Sequence, residues 1–246
     1  RGREISPYAF CDMPKAVDRI LKSIGKKEKI IIFGDFDCDG VTSTSLMVKT
    51  LCNLGADVDF YVPDRKEEGH GLNNAAICRL ISAAKAKLII TVDCGVSNLK
   101  EINIAKTFGC DVIITDHHEA PDELPAAYAI INPKAPNSLE PSLEAHEIVS
   151  LNYLAGVGVA YKLACALLEK FDRIDFAKEI LPLVALGTIG DVVPLLYENR
   201  LLVKKGIEAI LEVHPKGILK LVEISGLDSE NLSADGFAFG LVPRIN

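Results

Sequence analysis

The sequence has no C-x-x-C pair, no run of about 18 apolar residues, no charged-then-apolar leader and no excess of basic residues. Each absence excludes a class. The seven cysteines are odd in number and scattered, which argues against a disulfide framework or a structural zinc site and for a reducing, cytoplasmic setting. Without a long apolar run or a leader, nothing directs the chain to a membrane or to export. With 27 Lys and Arg against 34 Asp and Glu, the formal net charge is −7, so no general polyanion-binding surface is advertised. What is present is ordinary for a globular protein: 246 residues, 49% hydrophobic and 25% charged, enough for one large domain or for one domain and part of another. The first residue is Arg1 rather than Met, which leads us to expect a fragment.

The hydrophobic pattern alternates between two periods. "EKIIIFGD" (28–35), "DVDFYVP" (57–63), "KLIITVD" (87–93), "DVIITD" (111–116) and "AYAIINP" (127–133) read as short strands, the Ile-rich ones buried on both faces. Helices are predicted between them over 42–55, 73–86 and 98–109, with Gly55 and Gly109 as stops. Strand and helix alternating at this spacing give right-handed βαβ units, hence an α/β fold with a parallel five-stranded sheet flanked by helices. The Pro-, Ser- and Glu-rich stretch 134–150 reads as a surface loop. A helical segment follows, over 154–170, 174–187 and 198–212. Two parts are therefore expected: an α/β core over 1–133, and a loop and helical remainder over 134–246.

The polar residues fall at the strand ends. Asp35, Asp37 and Asp39 crowd into "FGDFDCDGVTSTS" after the first strand, Asp93 ends the third, and Asp116, His117 and His118 end the fourth. Ligands bind at the carboxyl ends of strands in open parallel sheets, so these groups are delivered to one edge. Carboxylates gathered there repel one another unless protonated or bridged by cations, and divalent metals accept this mixture of oxygen and imidazole ligands. Asp191 lies in the nearly apolar "LPLVALGTIGDVVPLL" (181–196), where an unpaired charge is costly and a metal would relieve it. Gly187 and Gly190 are expected to loosen the backbone there. Taken singly, Asp39 and Asp191 read as helix caps, Asp93 as a turn former and the His pair as exposed or capping residues. Their convergence is what points to a metal or catalytic site.

Four ordered segments, "GDFDCDGVTS", "TVDCGVSN", "TDHHEAPDELPAAYAIINPK" and "ALGTIGDVVPL", resemble the motifs of the DHH phosphoesterase superfamily. The match is close to its RecJ-like branch of 5′→3′ single-stranded-DNA exonucleases, and "PDRKEEGHGLN", "LAGVGVAYKLACALL" and "NRLLVKKGIEAI" extend it over nearly the whole chain. The resemblance implies a metal-dependent phosphodiesterase with two divalent cations, Mn²⁺ or in its place Mg²⁺. It implies Asp37, Asp39, Asp93, His117 and Asp191 as ligands, with Asp93 bridging. His118 would contact the scissile phosphate, Asp116 would orient the neighbouring His, and Asp35 would lie in or beside the site. The implied substrate is single-stranded DNA in repair and recombination, with a single-strand-binding protein or a helicase as protein partners and no membrane. Arg65 and Lys66, in the loop after the second strand, are candidates for phosphate contacts.

Phe33 stands four residues before Asp37, as expected for that branch, where some other branches of the superfamily have His. Three positions depart from the pattern of the branch: His70 replaces a common Tyr, and Cys38 and Gly190 each replace a common Ala. The closing "GFAFGLVPRIN" looks like the start of a further motif, which leads us to expect the catalytic half of a larger nuclease, without the DHH-associated and OB-type domains that help bind DNA. Two other readings of the motifs are an enzyme acting on short oligonucleotides, cyclic dinucleotides or pyrophosphate, and a non-catalytic scaffold, which would be expected to have lost some of these acids. A dinucleotide-binding domain is disfavoured, because "GVGVA" (156–160) does not follow the first strand and lacks the G-x-G-x-x-G spacing.

Overall fold

The structure, a computed structural model, describes residues 3–69 and 71–246; His70 lies outside the described residues. Five strands, β1 (Ile30–Gly34), β2 (Val58–Tyr61), β3 (Leu88–Val92), β4 (Asp111–Thr115) and β5 (Ala129–Ile131), form one sheet in the order β2-β1-β3-β4-β5. Every pairing is parallel, with Ile30 opposite Val58 and Leu88, and Leu88 opposite Asp111. The expected α/β architecture is therefore the observed one. All five carboxyl ends lie on one edge of the sheet.

Both sheet faces are covered, which is why the central strands read as continuous apolar runs. Ile30, Ile32, Leu88, Ile90, Val92 and Ile113 point to one side, where α1 (Met13–Lys26), α2 (Cys38–Asn53) and α6 (Gly156–Lys170) pack. Ile31, Phe33, Ile89 and Ile114 point to the other, against Ile77 and Leu80 of α3 (Asn74–Ser82) and Ile102 and Ala105 of α4 (Leu99–Thr107). A third apolar cluster joins α7 (Ala177–Gly190), α8 (Tyr197–Val213) and α9 (Lys216–Ser225) to Phe237 and Leu241, and it includes Cys38. Among the described residues, no single helix is long and apolar enough to cross a membrane.

Several boundaries differ from the sequence reading, each for a local reason. Helix α2 begins at Cys38 and not at 42, because the Asp37 carboxylate accepts the Gly40 N–H at 2.9 Å and caps the helix earlier. Asp39 thus belongs to a first helical turn and not to a loop. Within the stretch read as a loop over 134–150, α5 (Ala145–Asn152) has already begun, and the Glu147 side chain accepts the Glu144 N–H at 3.1 Å. Helix α7 runs through Gly187 to end at Gly190, with Asp191 as its C-cap. Those two glycines are not hinges. A Cβ at Gly187 would sit 2.2 Å from Thr42 Oγ1 and 3.0 Å from Asp39 Oδ1, so the residue serves the close approach of α7 to α2.

Candidate metal centre

Each acidic group reaches the sheet edge by a different route. Asp93 follows β3 in a left-handed conformation, φ 60°, which Asp tolerates better than most residues. Its N–H is held by Thr115 O at 3.0 Å, and the turn behind it is fixed by Thr91 Oγ1, which donates to Cys94 O at 2.8 Å. Asp39 comes from the first turn of α2 and is fully buried. Its two oxygens accept the N–H groups of Gly156 (2.6 Å) and Val157 (2.8 Å), so the carboxylate also closes the start of α6. Asp191 enters from the end of α7. The next residue, Val192, is 86% exposed at φ 58°, a conformation rare for a β-branched side chain, and marks strain where the chain leaves the site.

His117 is the point of convergence. Its Nε2 lies 3.2 Å from Asp93 Oδ1, 3.6 Å from Asp191 Oδ2 and 4.0 Å from Asp39 Oδ2. Burial, and next the charge of His118, push its pKa down to about 4, so the imidazole is neutral near pH 7. The Leu154 backbone hydrogen-bonds the ring as well. His117 Nε2, Asp93 Oδ1 and Asp191 Oδ2 are all buried without a hydrogen-bond partner among the described residues. Burial and mutual repulsion raise Asp39 and Asp93 well above the ordinary carboxylate range, and burial with the charge of Asp37 pushes Asp191 up to about 6. Buried acceptors facing one another in this way are relieved by protonation or by a cation between them. The donor set of carboxylate oxygen and imidazole nitrogen fits a divalent cation.

Two groups of side chains place their ligand atoms within 4.8 Å of one another: Asp39, His117 and Asp191, and Asp93, His117 and His118. Four of the five residues expected as ligands thus come together. The fifth, Asp37, is in neither group. One of its oxygens caps α2, yet its charge raises Asp39, Asp93 and Asp191, which places it within electrostatic reach. Asp35 is buried, with Oδ1 accepting the Phe36 N–H at 2.8 Å, and it too lies outside both groups. Phe33 is fully buried against Tyr61, with ring centroids 5.3 Å apart, and brings no ligand to the site.

His118 differs from His117. Its side chain is 57% exposed, and Nδ1 meets Asp116 Oδ1 at 2.7 Å, the hydrogen bond that does most to raise its pKa. Asp116 is almost fully buried and satisfied on both oxygens: Oδ1 by the His117 and His118 N–H groups (2.7 and 3.1 Å) and Oδ2 by the Val96 N–H (2.9 Å). Burial alone would raise the Asp116 pKa; the His118 hydrogen bond and charge, helped by the backbone donors, lower it instead. The Arg65 guanidinium sits 5.2 Å from the centre of the Phe36 ring, next in sequence to Asp35 and Asp37.

Structure supplies site residues that sequence reasoning missed. Gly156 is the main one: a Cβ there would stand 2.6 Å from Asp93 Oδ1. The glycine at a helix start in "GVGVA" was the available signal. Two of the departures also explain each other. A Cβ at Gly190 would lie 2.8 Å from both Cβ and Sγ of Cys38, so a larger residue at 38 accompanies a smaller one at 190. Gly190→Ala alone is expected to cost ~1–3 kcal/mol through overpacking. Adding Cys38→Ala should return part of that loss, with a favourable coupling of ~0.5–3 kcal/mol in a double-mutant cycle measured by urea unfolding. Additive effects would show that the two positions do not share the space.

A parallel sheet with acids and histidines at its carboxyl edge, joined there by helix-borne carboxylates, is the architecture of a known family, and the chain belongs to it. The model of the DHH family, N-terminal domain, matches residues 29–188, which contain every residue of the converging set except Asp191. Within that family the chain is similar to the single-stranded-DNA-specific exonuclease RecJ of Bacillus subtilis (strain 168), at 46% identity over 240 residues. The match takes in 98% of this chain and 29% of that protein. The protein of the same name from Haemophilus influenzae is 38% identical over 252 residues, which are 98% of this chain and 42% of the relative. The chain thus spans less than half the length of these two relatives. A crystal structure of exonuclease RecJ bound to manganese superposes with a TM-score of 0.85 at 32% identity, over 99% of this chain and 58% of that one.

Proposed function

We propose that this chain is the catalytic part of a metal-dependent phosphodiesterase that hydrolyses single-stranded DNA from its 5′ end. The observation that carries the reading is the trio of buried, unpartnered atoms, His117 Nε2, Asp93 Oδ1 and Asp191 Oδ2, in a chain similar to exonucleases of that kind. Asp37, Asp39, Asp93, His117 and Asp191 would hold two divalent cations, Mn²⁺ by analogy with the manganese-bound relative. Bound there, the ions would supply Lewis-acid charge to the phosphodiester and lower the pKa of a water.

The chain's own residues would do the rest. Asp39 and Asp191, fixed to helices, and Asp93, fixed to a strand end, hold the negative charge in place, so little reorganisation is needed when substrate arrives. The Asp116 contact occupies His118 Nδ1, which leaves Nε2 to present a proton to the phosphate or to the departing oxygen. Because Asp116 raises the His118 pKa, that proton is retained to higher pH than on an isolated imidazole. Arg65 and Lys66 would add phosphate contacts at the rim. Residues 1–133 would supply the strand-end acids, while 134–246 would supply the Gly156 and Val157 amides and Asp191. Such a function belongs in the cytoplasm.

The test is release of nucleotides from a 5′-phosphorylated single strand with Mn²⁺ present, comparing the chain with Asp93→Ala, and comparing long single strands with dinucleotides and duplex. We expect Mn²⁺-dependent release from the long single strand, reduced at least about 100-fold in the variant. Hydrolysis of dinucleotides alone would favour an oligonucleotide-clearing enzyme. A folded chain that binds no Mn²⁺ would favour a scaffold.

A further inference from the structure

The converging groups are carboxylates and histidines, and a phosphodiester entering beside them needs positive charge from the protein as well as from ions. The loop after β5, "NPK" (132–134), brings a lysine to the same sheet edge. Asn132 is fully buried and bridges two loops of that edge. Its Nδ2 donates to His118 O at 2.9 Å, and its Oδ1 accepts the Lys134 N–H at 2.8 Å. Its own carbonyl accepts the Ala135 N–H at 3.1 Å, closing a tight turn in which Pro133 fixes one φ. One buried amide therefore ties the backbone of His118 to the backbone of Lys134.

The Lys134 side chain is 27% exposed, and its Nζ meets Glu119 Oε1 at 3.1 Å. Glu119 is 85% exposed. An ion pair this exposed is weak and exchanges easily for a better anion. The ammonium is a compact charge with three donors on a flexible stem.

We propose that Lys134 is a catalytic residue that leaves Glu119 when substrate binds and donates to a non-bridging oxygen of the phosphodiester held before His118. This rests on the phosphodiesterase reading above. A lysine serving only to pin the loop after β4 would affect stability and leave kinetics unchanged, so the two roles separate by measurement.

The experiment is steady-state hydrolysis of a 5′-phosphorylated oligonucleotide, with parallel Mn²⁺ titration, for the wild-type chain, Lys134→Gln, Lys134→Arg and Glu119→Gln. Lys134→Gln should lose about 10- to 100-fold in kcat/KM, the scale of a hydrogen bond to a charged group. Its Mn²⁺ affinity should not fall, because a repelling cation has been removed. Lys134→Arg should keep most of the activity, and Glu119→Gln should not raise KM, since it frees the lysine. An active wild type with an unchanged Lys134→Gln overturns the assignment alone, as does a loss of activity matched by an equal loss of Mn²⁺ affinity. A wild type that neither hydrolyses nor binds the oligonucleotide overturns the phosphodiesterase reading and this assignment with it.

Discussion

Glu198→Ala is expected to destabilise the protein by ~3–5 kcal/mol, the cost of leaving one partner of a buried ion pair alone. Glu198 and Lys162 are 0% and 3% exposed and form a charged hydrogen bond between α8 and α6. The same pair gathers the start of the chain: Lys162 Nζ donates to Ile5 O at 2.6 Å, and the Ile5 N–H donates to Glu198 Oε1 at 3.1 Å. Ser150 Oγ of α5 accepts the Glu198 N–H at 3.3 Å. Removing the carboxylate leaves the buried Lys162 ammonium with Ile5 O but without its counter-charge, and it frees the Ile5 N–H. A loss of that size is a large share of a typical total of ~5–15 kcal/mol, and urea unfolding will read it. The double variant Lys162→Met with Glu198→Leu should cost less than Glu198→Ala, because apolar replacement avoids the unpaired charge. A single-variant loss below about 1 kcal/mol would mean that the pair is solvated in solution and does not organise this junction.

The second large effect concerns Gly156. Alanine there would place a Cβ 2.6 Å from Asp93 Oδ1 and 2.8 Å from its Cγ, on a residue whose N–H already holds Asp39 Oδ2 at 2.6 Å. Neither contact has room to give without moving a carboxylate of the site. Gly156→Ala should therefore weaken Mn²⁺ binding by about 10- to 100-fold, the range for residues that orient metal ligands. The helix itself should persist, because alanine is the better helix former. Far-ultraviolet circular dichroism unchanged, with Mn²⁺ affinity reduced in calorimetry, is the expected pair of results. Unchanged affinity would show that Asp93 can shift freely and is not held by this contact.

The strands and their parallel direction were legible because "KIIIF", "KLIIT" and "DVIIT" are too uniformly apolar for half-exposed strands and alternate with helical periods, whereas the order β2-β1-β3-β4-β5 came only from the structure. The gathering of Asp93, His117, Asp39 and Asp191 followed from where those strands end and from the cost of a charge in an apolar segment. Other features depend on contacts between distant parts of the chain, and local patterns do not encode them. Asp37 caps α2 and so carries Asp39 into a helix, which a window of residues treats as turn chemistry. Gly187 and Gly190 looked like hinges in sequence and proved to be points of close helix approach, because glycine serves either need. Asn132 carries no charge, and although it lies within a motif, its bridging role arises only when β4 and β5 lie side by side. The Lys162–Glu198 pair joins residues 36 apart, each of which reads alone as a solvated charge.

The central claim is that His117, Asp39, Asp93 and Asp191 form a divalent-metal site, and equilibrium Mn²⁺ titration of the purified chain tests it most directly. Titration calorimetry on the wild type, Asp93→Ala and His117→Ala, each shown to be folded by circular dichroism, should give saturable binding in the wild type and a loss of at least about tenfold in affinity in each variant. A folded wild type that takes up no Mn²⁺, or variants that bind it as the wild type does, would contradict the account.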